Sequence, residues 1–406
     1  MINDEETARP AATATSAAEE SPPVNAAGSP PVNAVDRLRA AARRLSTTDR
    51  DAMLVWLASR ASIWMIAGAV GWLFAVNGVV VPLLDRWQQW DFHHFWGIAL
   101  YGYGGEPTGV PNEAFFPGLP ALLALGGELG VRHVLVGLLV SFVAGAVAAV
   151  ALARIGDLDG GAGTGRLAVV MWAFAPPAIF LAAPYTESLF LALALPAWLS
   201  ARRGRLAYAG VLAAAACTVR VSGAFLALAI AVQWLTSPGK RWPDLAWLAV
   251  PALPLAGWML YLRLTTGDWL AWLHAQAEEW HRGFTPPWET FANTWDASFG
   301  GTQTPGFAWM FRAEIVAMVI GVVLTGALIA WRRWGEATWV GIQVIAFGTS
   351  FWYFSVPRAT LLWWPLWIVL AGLAVRRRWV LWVYLALSVP LMSLWAAAFL
   401  TGRWAG

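Results

Sequence analysis

The sequence predicts an all-α polytopic membrane protein of roughly ten or eleven transmembrane helices, preceded by a disordered tail. Three observations carry that prediction. Hydrophobic residues make up 59% of the 406-residue chain and charged residues only 13%, too few to cover the surface of a soluble domain. From Ser62 onward, apolar stretches alternate with short breaks that bear arginine. Residues 1 to about 50 have a different composition, rich in Ala, Pro, Ser, Thr and acids, with SPPVNA repeated at Ser21–Ala26 and Ser29–Ala34. A soluble globular domain is excluded. The net charge of +3, without a basic stripe, argues against a nucleic-acid partner. Cys217 stands alone in an Ala-rich run, which excludes a disulfide framework and a cysteine zinc site.

The elements follow in chain order. Residues 1–50 cannot bury enough apolar area to offset the entropy of ordering, so a disordered cytoplasmic tail is expected. The arginines at 37, 39, 43 and 44 suit a helix lying on the cytoplasmic membrane surface. Residues 51–406 form the membrane domain. Its expected spans are Ser62–Leu84, Val134–Ala153, Leu167–Ala183, Glu187–Ser200, Leu245–Tyr261, Ala313–Trp331, Thr338–Phe354, Thr360–Val375 and Val380–Leu400. Pro117–Gly130 is short and rich in Gly and Pro, nearer an interfacial or re-entrant piece. Leu206–Leu235 is too long for one crossing and carries Arg220 at its middle. Read as a hairpin with its tip at Arg220–Gly223, it puts 19 of the 27 basic residues on the cytoplasmic side and seven outside. Segments 85–118 and 263–312 then become the two long extracytoplasmic loops, in a multi-pass plasma-membrane protein with a cytoplasmic N-terminus.

Ionisable residues near the membrane are costly and point towards function. Asp91 follows Trp90 in an aromatic-rich outer segment. A carboxylate there can accept a proton from a sugar hydroxyl, or can simply cap a surface helix. His93 and His94 are adjacent, so their side chains diverge, and no metal-ligand spacing accompanies them. Glu187, in Pro184–Ser188, opens an apolar helix, where the helix dipole alone favours an acid. Arg220 at the hairpin tip needs an anion, and a lipid phosphate or Glu187 would each serve. Arg358, in Ser355–Pro365, stands at the outer mouth of a span, where arginines also snorkel. In the second loop, Trp269, Trp272, Trp280 and Trp288 offer flat apolar faces. His274, Gln276 and His281 offer hydrogen bonds, a mixture that suits a sugar but also any membrane interface.

Taken in order, these pieces resemble the PIG-V-like mannosyltransferases within the GT-C class of membrane glycosyltransferases. The resemblance runs through Trp90–Asp91 with Ile98–Ala99 and Gly102–Tyr103, then Ala114–Pro117, then Pro184–Ser188. It continues with Arg220–Gly223, Gly267–Asp268 with His274–Gln276 and Trp280, and Ser355–Arg358, so that it covers residues 62 to about 375. It implies a GT-C-like helical bundle whose active site faces outwards. The implied activity is inverting transfer of mannose from a polyprenyl-phosphate-mannose donor to a glycan, glycolipid or protein acceptor. It places Asp91 as the carboxylate that positions or deprotonates the acceptor, and Arg220 and Arg358 on the donor phosphate. Glu187, Tyr185, His94, His274, Gln276 and Trp280 become supporting or substrate-binding residues. No metal or other cofactor is expected, since arginine can stabilise a phosphate leaving group. A GT-C transferase using arabinose or glucose, a lipid-linked-sugar flippase and a non-catalytic scaffold are the rival readings.

Overall fold

The helical framework begins at a capping box. Ser46 Oγ accepts the Asp49 N–H at 3.1 Å, and the Asp49 carboxylate accepts the Ser46 N–H at 3.2 Å. Helix α1 (Thr47–Leu73) therefore starts well before the expected Ser62, within what the composition had assigned to the tail. Asp49 can be buried there because Arg154, on α4 (His133–Gly160), meets its two oxygens at 2.8 and 2.9 Å. The computed structural model describes residues 46–74, 80–103 and 111–405, and every regular element among them is helical. The expected tail, with its SPPVNA repeats and arginine cluster, lies outside the described residues.

Short helices α2 (Asp91–Tyr101) and α3 (Gly118–Glu128) precede α4; as expected, α3 is too short to span. After α4 come α5 (Thr164–Ala173), α6 (Thr186–Arg202), α7 (Leu206–Cys217) and α8 (Ser222–Thr236). The 30-residue apolar run is thus two helices packed on each other, with the break at 218–221. Helices α9 (Leu245–Ala249) and α10 (Ala252–Thr266) belong to one apolar span, Trp242–Thr266. Two further helices, α11 (Ala271–Trp280) and α12 (Pro287–Phe299), occupy the segment read as a long loop. The chain closes with α13 (Pro305–Ala330), α14 (Trp334–Gly348), α15 (Val356–Ala359), α16 (Trp364–Arg376) and α17 (Arg378–Leu400).

Among the described residues, five helices are long and apolar enough to cross a bilayer: α1, α4, Trp242–Thr266, α13 and α17. A sixth arises if Val356–Leu362 and Trp364–Arg376, bent by 73°, count as one span. The other expected crossings are shorter helices. Pro176 and Pro177 account for one of them, because α5 ends at Ala173 and the chain continues as a turn and a short 3-10 segment to Leu181. Large apolar side chains such as Trp72 and Val323 are exposed, as lipid-facing positions require.

The helices run between two polar ends. Near one end of α4, Ser141 Oγ donates to Ala183 O, beside the Glu187 helix start. About 27 Å further along the same helix lies Asp159, paired with Arg202 at 2.9 Å and Arg333 at 2.5 Å. Arg333 also bonds Glu336, so the ends of α4 and α6 and the start of α14 are tied together. That separation approaches the thickness of a hydrocarbon core.

Between the two ends the packing is close. Trp56 and Trp172 stack at 5.7 Å, and a Cβ on Gly145 would fall 2.2 Å from the Trp56 ring. On Gly165 a Cβ would lie 1.9 Å from the Ala153 carbonyl oxygen, a backbone atom that no side-chain rotation removes. Gly165→Ala is therefore expected to destabilise the fold by about 1–3 kcal/mol by forcing α4 and α5 apart. Gly68, with nothing within 4 Å of its Cβ position, should accept alanine without loss. Thermal unfolding of the two variants in detergent checks the contrast.

Candidate active site

The site is assembled by two residues with unusual backbone. Trp90 precedes α2 with φ 49°, and Ser355 precedes α15 with φ 67°, both left-handed although neither is glycine. Such conformations cost of order 1–3 kcal/mol and persist where surrounding structure enforces them. Each stands close before a charged residue, Asp91 in one case and Arg358 in the other. Their enforcers are visible. Tyr185 Oη donates to Gln89 O at 2.8 Å. Glu314, buried on α13, accepts the Ser355 and Val356 N–H groups at 2.8 and 2.7 Å.

Arg358 joins two carboxylates. Its Nη1 donates to Asp91 Oδ2 at 2.6 Å and its Nε to Glu187 Oε1 at 2.5 Å. Arg220 Nη1 donates to the same Glu187 oxygen at 2.5 Å and to Thr186 Oγ1 at 2.9 Å. Glu187 is fully buried, while a quarter of the Arg220 side chain and nearly as much of Asp91 stay exposed. The Arg358 guanidinium lies 4.6 Å from the Tyr185 ring centre and 5.0 Å from that of Phe180, which favours the cation. Burial alone would raise the Asp91 carboxyl. The charge and hydrogen bond of Arg358, with smaller contributions from His94 and Arg220, hold it below the ordinary aspartate value.

Asp91, Arg220 and Arg358 line a cavity of about 500 Å³, a size suited to a small-molecule substrate. Helix α11 forms the facing wall with Trp272, Leu273, Gln276, Glu279 and Trp280, residues that share one side of a 3.6-residue repeat. Gln276 Nε2 is anchored on Ala114 O at 3.1 Å.

His274 falls on the opposite side of α11, away from the residues of that helix that line the cavity. It is exposed and pairs with Asp268 at 2.6 Å, stabilising the start of its own helix. His94 is not in the cavity wall either. It stacks on Phe115 at 4.7 Å and meets the edge of Trp280, and burial lowers it below the usual imidazole value, so it is neutral at pH 7. Tyr185 and Glu187 stand behind the wall and act on it through Gln89, Arg358 and Arg220.

Two residues that the sequence reading passed over now matter. Arg282, just after α11, lines the cavity. Glu314 carries the Ser355 turn, and an acid inside an apolar span was a signal that could have found it. Removing both acceptor oxygens with Glu314→Ala leaves two buried N–H groups unpaired, at a cost of about 2–5 kcal/mol. Glu314→Gln keeps one acceptor and should lose roughly half as much. Thermal unfolding in detergent measures both, and equal losses would contradict the role assigned to the second oxygen.

Fold and site together define a multi-span, all-helical membrane protein with an ion-paired carboxylate at the wall of a substrate-sized cavity. Residues 65–237 match the family model described as Mannosyltransferase (PIG-V). The GPI alpha-1,6-mannosyltransferase 2 of Cricetulus griseus is 37% identical over 160 residues, which cover 37% of this chain and 32% of the relative. The protein of that name from Mus musculus shows the same identity and coverage, and that from Homo sapiens is 36% identical over 159 residues. The chain thus spans about a third of the length of the curated relatives it matches. The family match contains Asp91, Glu187 and Arg220, whereas Arg282, Glu314 and Arg358 lie beyond it.

Proposed function

We propose that the protein is a membrane mannosyltransferase that moves mannose from a polyprenyl-phosphate-mannose donor to a hydroxyl of a glycan, glycolipid or protein. One observation carries this reading: within a segment similar to named mannosyltransferases, Asp91 is held at the cavity wall by Arg358. The acceptor oxygen attacks the anomeric carbon as the bond from that carbon to the phosphate oxygen breaks, with inversion. The polyprenyl phosphate departs with the electron pair, and the hydroxyl proton passes to Asp91 and then to water. Paired with Arg358, Asp91 is a weak base, so it orients the hydroxyl first and takes its proton late. Arg220, a quarter of whose side chain stays exposed, supplies positive charge where the leaving phosphate gains negative charge.

The basic residues at the end away from the cavity support a cytoplasmic place for that end, with the cavity facing outwards from the plasma membrane. Such a GT-C-like arrangement lets a lipid donor enter from the outer leaflet. The test is a donor panel. Purified protein is given a mixed lipid and glycan acceptor extract and polyprenyl phosphates bearing mannose, glucose or arabinose. Mannose transfer alone, or in large excess, is expected; preference for glucose or arabinose would overturn the choice of sugar.

A further inference from the structure

The charges in the cavity are unequally engaged. Arg358 is paired with two carboxylates, Asp91 and Glu187, and Arg220 is bound to Glu187 and Thr186. Arg282 lines the same space and forms no ion pair among the described residues. Glu279 is on the same wall but does not pair with it, so the guanidinium charge is not neutralised in place.

Arg282 is nevertheless well positioned. Helix α11 ends at Trp280, and His281 follows in the left-handed conformation at φ 50° and ψ 36°. The turn lets the Arg282 N–H bond back to Gln276 O at 3.1 Å. From the other side, Phe351 N–H donates to His281 O at 3.1 Å, and Thr285 N–H to Thr349 O at 2.8 Å. The side chain is also held, since Nη1 donates to Gln276 Oε1 at 3.1 Å and the guanidinium lies 5.8 Å from the Phe347 ring centre. That single neutral partner uses one of five N–H donors. An uncommitted, pre-oriented guanidinium in a substrate cavity is the geometry that receives phosphate.

We propose that Arg282 is the principal seat for the lipid-borne phosphate of the substrate, assisted by the exposed part of Arg220, whereas Arg358 serves to orient Asp91. This deepens the mannosyltransferase reading, yet the anion seat itself requires only that the ligand be a polyprenyl phosphate. The donor phosphate and an anionic bilayer lipid share the chemistry read by the guanidinium, and the binding panel separates the two.

The experiment uses the full chain in nanodiscs of neutral lipid and measures binding of a short-chain polyprenyl phosphate, the matching uncharged polyprenol and phosphatidylglycerol. Wild-type protein should bind the polyprenyl phosphate at least about tenfold more tightly than the polyprenol. Arg282→Gln should remove most of that preference, and Arg282→Lys should restore part of it, as a point charge without the fork. With polyprenyl-phosphate-mannose, Arg282→Gln should raise the donor KM about tenfold and also lower kcat, because the leaving phosphate gains charge, while the acceptor KM changes less than threefold. A phosphate preference that survives Arg282→Gln within twofold overturns the proposal. So does phosphatidylglycerol competing as well as polyprenyl phosphate. If the binding results hold but no mannose is transferred, the anion seat stands and the mannosyltransferase reading falls.

Discussion

Replacing Glu187 with alanine is expected to destabilise the fold by about 3–5 kcal/mol and to abolish transfer, the largest effect of any single substitution at the site. The reason is its double duty. One buried carboxylate oxygen accepts from both Arg220 and Arg358, and the side chain has no exposure to water. Removing it leaves Arg358 nearly buried with Asp91 as its remaining carboxylate, and leaves Arg220 with the Thr186 hydroxyl. Two cations would then repel each other in a region of low dielectric. Glu187→Gln keeps the shape and one acceptor without the charge, so a smaller loss of stability is expected, with activity still low. Thermal unfolding in detergent separates the two variants; an unchanged midpoint for Glu187→Ala would show that the network does not hold the site together.

Asp91→Asn should lose activity without losing stability. Transfer should fall by about 10²–10⁴-fold, the usual contribution of a positioned general base, while the protein stays folded. Arg358 retains Glu187, and asparagine fills the same space at the cavity edge. The pH dependence follows from the direction of the Asp91 shift. Its folded-state value lies below the unfolded one, so the stability it contributes is present above the unfolded value, near 4, and is lost as pH falls through the folded value. Asp91 is therefore ionised throughout pH 5–8, and its titration should give no acid limb in the rate profile across that window. An acid limb centred near pH 6 that disappears in Asp91→Asn would contradict this assignment.

Much of this architecture could be read from the sequence, and the failures have identifiable causes. The all-helical class, the broken run at Arg220 and the short α3 follow from apolar length and from the positions of Gly, Pro and Arg. Helix lengths were harder. Pro176–Pro177 ends α5 early, and the capping box at Ser46 starts α1 inside a segment whose composition looks like tail. Asp91, Glu187, Arg220 and Arg358 could each be singled out as costly charges. Their union could not, because Asp91 and Arg358 lie far apart in the chain and meet only through the left-handed turns at Trp90 and Ser355.

From sequence Arg358 reads as a phosphate ligand, and in the fold two of its N–H groups donate to Glu187 and Asp91. His274 was grouped with Gln276 because residues 263–312 read as loop. Once α11 is recognised, helical phase alone puts Gln276 and Trp280 on one side and His274 on the other. Arg282 gives no local signal, since the proposal for it rests on its lacking a carboxylate partner among the described residues, which only the folded arrangement reveals.

The most direct test compares wild-type protein and Asp91→Asn, both purified in full length and shown to be folded, with labelled polyprenyl-phosphate-mannose and an extract of envelope lipids and glycans. Label should pass to an acceptor with the wild type and be reduced at least about a hundredfold with the variant. Equal transfer by the two proteins, or none by the folded wild type across the whole extract, would contradict a mannosyltransferase site built on Asp91.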